Sequence, residues 1–217
     1  MRCPLCHGDE TPLFHEDARR TYHRCGRCRL VFVPRRHFLP LDQERAHYDL
    51  HENDPADERY RAFLERLCGP LRERLAPASV GLDFGSGPGP TLSVMLEEAG
   101  HRVDLFDPAY AHHPSVFDRQ YDFITASEVA EHLHDPAAQL QRLWDCLRPG
   151  GILGLMTRLV PPTPFAEWHY IRDPTHVCFY STESFAWLAA RWSARHEQVG
   201  ADVTLLTRPR AESPDTR

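Results

Sequence analysis

A glycine-rich loop follows a short apolar segment near the middle of the chain. Residues 85–90 read GSGPGP, and the preceding residues 79–84 read SVGLDF. Because glycine has no Cβ, such a loop lets its backbone approach a ligand closely, and a following helix adds N-terminal N–H groups. A dinucleotide-binding loop needs a third glycine where this chain has Pro90. The pattern therefore predicts a ligand site and disfavours a pyrophosphate as the ligand.

Two aspartates accompany this loop. Asp83 lies two residues before Gly85, and Asp107 lies twenty residues after Gly87. A carboxylate at the first position can favour the ammonium group of an amino-acid tail, and one at the second can accept the hydroxyls of an adenosine ribose. Each aspartate alone is also typical of a simple turn. Together, on a strand–turn–helix–strand frame, they predict binding of a ribonucleoside cofactor.

Four of the seven cysteines form two Cys-x-x-Cys pairs near the N-terminus, Cys3 with Cys6 and Cys25 with Cys28. Two such knuckles complete the tetrahedron of thiolates that zinc prefers. With four sulfur ligands no position stays open, so the predicted zinc is structural. The alternative is a set of reduced cysteines without metal. The role of this module is left open between scaffolding and recognition of substrate through its arginines.

A cluster of acidic residues and histidines follows a predicted strand at residues 121–127. Glu128, Glu131 and His132 come first, and His176 lies further on, in the loop RDPTHVCFYS. If the first segment is helical, its three side chains share one face. One interpretation is a second, divalent metal held by all four residues, which would lower the pKa of a substrate hydroxyl. The other is catalysis or pocket shaping by His132, His176 and Glu128, with a histidine as general base.

The elements that must position these residues alternate in type. Apolar patterning and caps predict strands at 79–85, 101–108, 121–127 and 152–157, and helices at 90–100, 136–147 and 183–192, the last capped by Ser181 or Thr182. Two short strands then form an antiparallel hairpin up to residue 208. Alternation of this kind predicts a mostly parallel, Rossmann-like doubly wound α/β sheet.

The chain divides into four predicted segments. Residues 1–36 form the zinc-binding ribbon, 37–78 a helical linker or lid, 79–207 the cofactor-binding domain and 208–217 a disordered tail. The linker contains an amphipathic helix from about residue 58 to 75, with Pro70 expected to kink or divide it. The segment YDLHEN, with Tyr48, His51 and Asn53, is either part of a lid or a solvated helix start.

Over about residues 40–207 the sequence resembles the class I S-adenosylmethionine-dependent methyltransferases. LDFGSGPG looks like the first motif of that family, DLFDP like the second, and YDFITASEVAEHL and LRPGGILGLMT like its fourth and fifth strand regions. The resemblance implies a strand order of 3-2-1-4-5-7-6 with an antiparallel strand 7. Only about eleven residues separate the second and fourth strand regions, so the third strand is shortened or absent. The implied cofactor-binding residues are Asp83, Gly85, Ser86, Gly87, Asp107 and Ser127.

The cluster of Glu128, Glu131, His132 and His176 is similar to the metal site of RNA 3′-end 2′-O-methyltransferases. Related motifs occur in quinone-biosynthesis O-methyltransferases. Aromatic residues near the end of the chain either line a substrate pocket or pack in the core. These aromatic residues are Trp168, Tyr170, Phe179 and Tyr180.

Composition limits the possible partners. The net charge is −6, whereas residues 1–36 hold eight arginines against four acidic residues, so only this module is basic. No apolar run reaches the roughly 20 residues of a membrane helix, so we expect a cytoplasmic protein without membrane contact. A small-molecule or glycan-type acceptor is the first prediction. The alternatives are an RNA methyltransferase that uses the arginine-rich ribbon, and a non-catalytic zinc-ribbon interaction protein.

Overall fold

The computed structural model of this protein describes residues 1–49, 53–162 and 164–210. Within these ranges the chain forms a four-stranded antiparallel sheet and a six-stranded mixed sheet. The first three strands belong to the N-terminal module. They are β1 (Leu13–Glu16), β2 (Thr21–Arg24) and β3 (Val31–Phe32).

Both cysteine knuckles have the same backbone geometry. The N–H group of His7 donates to the carbonyl of Cys3 at 3.0 Å, and that of Arg29 donates to the carbonyl of Cys25 at 3.1 Å. In each knuckle the residue after the second cysteine is left-handed, with φ of 57° at His7 and 62° at Arg29. This repeated turn aims the two thiols of each knuckle at one point. The pairing of β1, β2 and β3 then brings the two knuckles together.

Two helices connect this module to the larger sheet, α1 (Leu41–Tyr48) and α2 (Glu58–Arg72). The predicted apolar stripe of α2 is buried at Leu64, Leu67 and Leu71. Pro70 lies inside the helix, two residues before its end, and does not divide it. Since a proline removes one backbone donor, the helix stops soon after it.

The remaining elements form the larger sheet, its covering helices and one strand outside it. They are β4 (Val80–Phe84), α3 (Thr91–Glu98), β5 (Arg102–Phe106), β6 (Tyr121–Ser127), α4 (Pro136–Asp145), β7 (Leu147–Met156), β8 (Cys178–Phe179), α5 (Thr182–Trp192), β9 (Arg195–Val199) and β10 (Val203–Thr207). The sheet order is β5-β4-β6-β7-β10-β9. Strands β4 to β7 are parallel, and β10 is antiparallel to both neighbours. The predicted α/β fold is confirmed. The antiparallel orientation of the last strand in the chain, β10, is confirmed as well.

The third strand of the expected order is replaced by a 3-10 turn. Residues Pro114–Asp118 form this turn, which buries Val116. The hydroxyl of Tyr121 donates to the carbonyl of Val116 at 2.8 Å, so the turn is attached to the start of β6. The short connection therefore crosses directly from β5 to β6, as its length predicted.

Three local predictions have definite outcomes. The RPGG segment, which separates the predicted helix at 136–147 from the predicted strand at 152–157, lies within β7, where the pairing with β6 is irregular and Gly150 has φ of 83°. Ser181 is the cap of α5 and forms a capping box with Ser184. The backbone of Arg208 still pairs with Gly151, one residue into the segment predicted as a tail. Residues 211–217 lie outside the described part.

Strand β8 pairs with β3 of the N-terminal module and not with the larger sheet. The N–H group of Val33 extends this contact by donating to the carbonyl of Val177 at 2.9 Å. One apolar core cluster includes Leu30 and Phe32 of the module together with Phe179 and Tyr180. The module is thus built into the larger domain. No helix in the described ranges has the length and apolarity needed to span a membrane.

Candidate cofactor and acceptor site

The glycine loop connects the end of β4 to α3 with two left-handed residues, Gly85 at φ 75° and Gly87 at φ 65°. A Cβ on Gly85 would lie 2.4 Å from Val129, and one on Gly89 would lie 1.6 Å from the carbonyl oxygen of Asn53. These positions therefore exclude any side chain. Within the described chain, the buried hydroxyl oxygen of Ser86 has no hydrogen-bond partner. An unsatisfied polar atom in this loop fits a polar ligand.

Asp107 connects the loop to the end of β5. One carboxylate oxygen accepts the N–H group of Gly87 at 3.0 Å, and the other accepts those of Ala109 at 2.8 Å and Tyr110 at 3.1 Å. The carboxylate thus holds its own turn as well as the glycine loop. Three of about four lone-pair positions are used. The remaining one suits a single ribose hydroxyl, where the sequence suggested two.

Asp83 is buried at the end of β4 and is only 4% exposed. Its carboxylate accepts a hydrogen bond of 2.8 Å from the hydroxyl of Thr125 on the neighbouring strand β6. Burial raises the pKa of Asp83 to about 6. A buried carboxylate with one neutral donor and no cationic partner is well placed to favour an incoming ammonium group.

One cavity of about 940 Å³ opens at the carboxyl ends of β4, β5 and β6. Its wall includes every predicted cofactor-binding residue and three of the four residues of the acidic and histidine cluster. These lining residues are Asp83, Gly85, Ser86, Gly87, Asp107, Ser127, Glu128, His132 and His176. Glu131 is fully buried behind the wall.

Helix α1 closes one side of the cavity. Its Glu44 carboxylate lies 2.8 Å from Nε2 of His134, and its Tyr48 ring packs edge-on against the ring of His132 at 5.3 Å. Asn53 also lines the cavity. The structure therefore places Tyr48 and Asn53 where a lid would be, whereas His51 lies outside the described residues. Nothing local in the sequence identified the contact between Glu44 and His134, which are 90 residues apart.

The segment with Glu128 is not the α-helix on which the predicted shared face depended. Glu128 is left-handed, with φ of 52°, and only Ala130–His132 forms a 3-10 turn. This sharp turn sends Glu131 inward and His132 to the cavity wall. The reversal at Glu128 follows directly after β6, so strain in a non-glycine residue lies at the edge of the site.

Two carboxyl groups lie near the hydroxyl of Tyr170, that of Glu128 at the cavity wall and that of Glu131 buried behind it. Within the described chain, one oxygen of Glu128 and one of Glu131 have no hydrogen-bond partner. The hydroxyl of Tyr170 donates to the other oxygen of Glu131. Burial, together with the charge of Glu131, raises the pKa of Glu128 to about 8, and burial raises the pKa of Glu131 to about 7. Such groups either carry protons near neutral pH or face a cation.

One ring nitrogen of His176 forms a hydrogen bond with the backbone. Its Nδ1 lies 2.8 Å from the carbonyl oxygen of Tyr170, so Nδ1 carries the proton and Nε2 has the lone pair. Burial lowers the pKa of His176 to about 4. Its ring packs edge-on against that of His132 at 4.7 Å. The two histidines and Glu131 can place one ligand atom each within 4.8 Å of one another, and Glu128 is outside that group.

The four thiols of the N-terminal module converge as the spacing predicted. The Sγ atoms of Cys3 and Cys28 are 3.5 Å apart, and those of Cys6 and Cys25 are 3.4 Å apart. All four lie within 4.8 Å of one another and are buried. Zn–S bonds of about 2.3 Å in a tetrahedron require sulfur separations of roughly 3.8 Å. The thiol cluster therefore fits a zinc ion.

The late aromatic residues pack in the core. Tyr170, Phe179 and Tyr180 are buried in the main apolar cluster, and Trp168 packs against it. None of these four lines the cavity. Sequence reasoning did not single out Tyr170 as the donor to Glu131, because an aromatic residue in an apolar segment gives no signal of a polar role.

A family model described as a methyltransferase domain matches residues 56–192. This chain belongs to the class I S-adenosylmethionine-dependent methyltransferase family. Among solved structures, the Burkholderia thailandensis 1,6-didemethyltoxoflavin-N1-methyltransferase with bound 1,6-didemethyltoxoflavin and S-adenosylhomocysteine has a TM-score of 0.53. It is 16% identical, and the match covers 92% of this chain and 99% of that one. At this identity the likeness is one of fold.

Curated relatives of this methyltransferase-family chain differ in substrate. A ubiquinone biosynthesis O-methyltransferase from Ruegeria pomeroyi is 32% identical over 139 residues, 60% of this chain and 51% of that protein. The Escherichia coli tRNA 5-carboxymethoxyuridine methyltransferase is 35% identical over 101 residues, 35% of this chain and 38% of that protein. The chain spans between a third and a half of the length of these relatives.

The buried charge of Asp83 predicts a stability that depends on pH. Its usual pKa of 3.8 is raised to about 6 in the folded protein, so the stability contributed by its protonated form is lost as the pH rises from about 4 to about 6. Above that range the charge costs roughly 3 kcal/mol. We expect Asp83→Asn to raise the unfolding temperature of the ligand-free protein at pH 7.5, and much less at pH 4.5. A calorimetric difference that does not change with pH would contradict this assignment.

Proposed function

We propose that this chain transfers the methyl group of S-adenosylmethionine to an oxygen of a small-molecule or glycan-type acceptor. The observation that carries the proposal is one shared cavity, whose wall holds both the glycine loop with Asp107 and the histidines His132 and His176. Its volume of about 940 Å³ lies near the upper end of the range for small-molecule sites. Donor and acceptor can therefore bind side by side.

The donor would be held by residues at the ends of β4, β5 and β6. The close-packed glycines let the loop backbone approach it, and Asp83 faces the position of its ammonium group. Asp107 has one lone pair left for a ribose hydroxyl. When bound, S-adenosylmethionine supplies an electrophilic methyl group on a positively charged sulfur. The protein then contributes mainly by alignment, which can lower a barrier by on the order of 7–11 kcal/mol.

The histidine pair would serve the acceptor. A hydroxyl that takes up a methyl group must lose its proton, and a histidine beside the acceptor can receive it. His132 lies on the cavity wall, and His176 packs against it with Nε2 unprotonated. We assign proton removal to this pair, with Glu128 at the cavity wall as the third candidate catalytic residue.

A divalent cation is the second route to the same chemistry. His132, His176 and Glu131 form a suitable group of two nitrogens and one oxygen, with Glu128 nearby. The unpartnered carboxylate oxygens among the described residues also suit a cation. The cation would lower the pKa of the acceptor hydroxyl, and the histidines would then be ligands and not bases.

We also propose a structural zinc ion at Cys3, Cys6, Cys25 and Cys28. The support is the converging thiol cluster and the repeated knuckle geometry. Four protein ligands leave no open position for substrate. The zinc would thus stabilise the fold of the N-terminal module and take no part in methyl transfer.

RNA is the second candidate acceptor. It is favoured by the tRNA-modifying relative and by exposed arginines of the module, among them Arg2, Arg27, Arg29, Arg35 and Arg36. RNA binding through these arginines would weaken steeply with salt, because counterions are released. Binding to a small acceptor inside the cavity would not. A non-catalytic role is disfavoured by the intact glycine loop and Asp107.

The first experiment is a calorimetric titration with S-adenosylhomocysteine, with NAD as the control. We expect micromolar binding of the first and none of the second, because Pro90 removes the third glycine that a dinucleotide loop needs. Asp107→Asn should weaken binding at least about tenfold, since it disturbs both the loop and the ribose contact. Absence of binding by the wild-type protein would contradict the proposed activity.

The histidine pair is tested by His132→Asn and His176→Asn. We expect each to lower kcat by roughly a hundredfold or more with little change in affinity for S-adenosylhomocysteine, the size typical of a lost general base. Chelation followed by addition of Mn²⁺ or Mg²⁺ separates the two routes. Activity that survives chelation supports the base, and activity restored only by the cation supports the metal. Unchanged kcat in both variants would remove the pair from the mechanism.

If the proposed zinc site is correct, elemental analysis should find one zinc ion per chain. Cys25→Ser should lose that zinc and lower the unfolding temperature, because binding of the metal contributes to folding. Cys68→Ala changes a buried cysteine of α2 that belongs to a different apolar core cluster from the four thiols and is the matched control. Equal zinc contents in both variants would contradict the assignment.

A further inference from the structure

The segment that carries His176 depends on the N-terminal module for its position. Residues 171–177 contain no helix beyond the 3-10 turn that ends at Arg172. The N–H group of Val177 donates to the carbonyl of Glu131 at 2.8 Å, and its carbonyl accepts from Val33 of the module at 2.9 Å. Val177 therefore joins the Glu131 turn on one side to the module on the other.

Arg20 of the module lies under this segment and is only 6% exposed. Its Nε–H donates to the hydroxyl of Tyr22 at 2.9 Å. Its two terminal nitrogens donate to four backbone carbonyls at distances from 2.7 to 3.2 Å. These carbonyls belong to Ile171, Asp173, Pro174 and His176.

The five N–H donors of Arg20 thus meet five acceptors. Four carbonyls that point to one place cannot satisfy one another, because all are acceptors. A planar guanidinium supplies the required fork of donors, whereas a lysine has three donors at a single nitrogen. Arg20 therefore fixes the backbone path of the segment.

His176 is held at two places by this arrangement. Its carbonyl accepts from Arg20 at 2.9 Å, and its Nδ1 donates to the carbonyl of Tyr170 at 2.8 Å. Backbone and ring are both held, and Nε2 lies 3.7 Å from a carboxylate oxygen of Asp173. The ring also packs against that of His132. We propose that Arg20 is a positioning residue for His176, so that the N-terminal module orders the acceptor half of the site.

This inference rests on the proposed function only for its kinetic consequence, since the contacts themselves are independent of it.

The module is in turn organised by its hairpin and thiol cluster. Asp17 accepts the N–H groups of Arg19 and Arg20 at 2.7 and 2.9 Å, and its other oxygen accepts the hydroxyl of Tyr22 at 2.8 Å. The turn before β2 therefore holds Arg20 in place.

The test compares Arg20→Lys with Arg19→Lys. Arg19 is the adjacent, exposed arginine and makes one contact of 3.4 Å with the carbonyl of Arg172. Mass spectrometry measures the rate of amide hydrogen exchange in peptides from residues 170–180 and from the glycine loop. Elemental analysis measures the zinc content of each variant. We expect faster exchange at 170–180 in Arg20→Lys alone, with the glycine loop and the zinc content unchanged.

Kinetics provide the second readout. Arg20→Lys should lower kcat by roughly tenfold to a hundredfold, the loss expected when a reacting group is misplaced by about 1 Å. The KM for S-adenosylmethionine and the affinity for S-adenosylhomocysteine should stay within about threefold, because the glycine loop is not touched. Arg19→Lys should match the wild type in every measurement.

Three results would overturn the proposal. They are unchanged exchange at residues 170–180, faster exchange spread evenly over the chain, and a normal kcat in the presence of a loosened segment. If Arg20→Lys does not fold, Tyr22→Phe removes only the hydroxyl that accepts from Nε, and it should loosen the same peptide to a smaller degree. A wild-type protein that binds no S-adenosylhomocysteine would refute the proposed activity, while the exchange result would still decide the role of Arg20.

Discussion

The carboxyl ends of parallel strands must meet at one edge of a sheet, and the arrangement of this site follows from that constraint. Asp83 is the penultimate residue of β4, which the glycine loop follows, and Asp107 directly follows β5. Ser127 is the last residue of β6, and Glu128 comes next. Residues that are far apart in sequence therefore line one cavity. Asp107 tightens this edge, because its carboxylate accepts the N–H group of Gly87 across the gap between two strands. The proposed cofactor half of the site is thus held by contacts between the ends of neighbouring strands.

The acceptor half is held differently. Glu131, His132 and His176 lie on irregular segments, which the sheet alone does not position. Order there comes from β8, whose two residues pair with the N-terminal module, and from the buried guanidinium of Arg20. A module that looks separable in sequence therefore supports the segment that carries His176. This division suits a family in which the donor stays the same while acceptors vary, because the two halves can change independently.

Features with local signals could be predicted from the sequence. The glycine loop, Asp107, the two Cys-x-x-Cys knuckles and the short connection that replaces the third strand each depend on neighbouring residues. The pairing of β3 with β8 could not be predicted, since two-residue strands show no periodicity and their partners are distant in the chain. The left-handed turn at Glu128 was missed because a glutamate does not indicate φ of 52°. The helical face expected there was therefore wrong, although the side chains Glu131 and His132 still reach the site.

The missing third strand affects how readily the edge of the sheet could associate with another molecule. It leaves β5 as the outermost strand, with backbone groups that another sheet edge could pair with. The chain places charge there: Asp104 of β5 forms an ion pair with Arg119 and accepts the hydroxyl of Tyr121 at 2.7 Å. At the opposite edge, β9 carries Arg195 and Glu197, which pair with each other at 2.9 Å. Charges on both outer strands oppose edge-to-edge association, so shortening the fold does not turn the sheet into a template for aggregation.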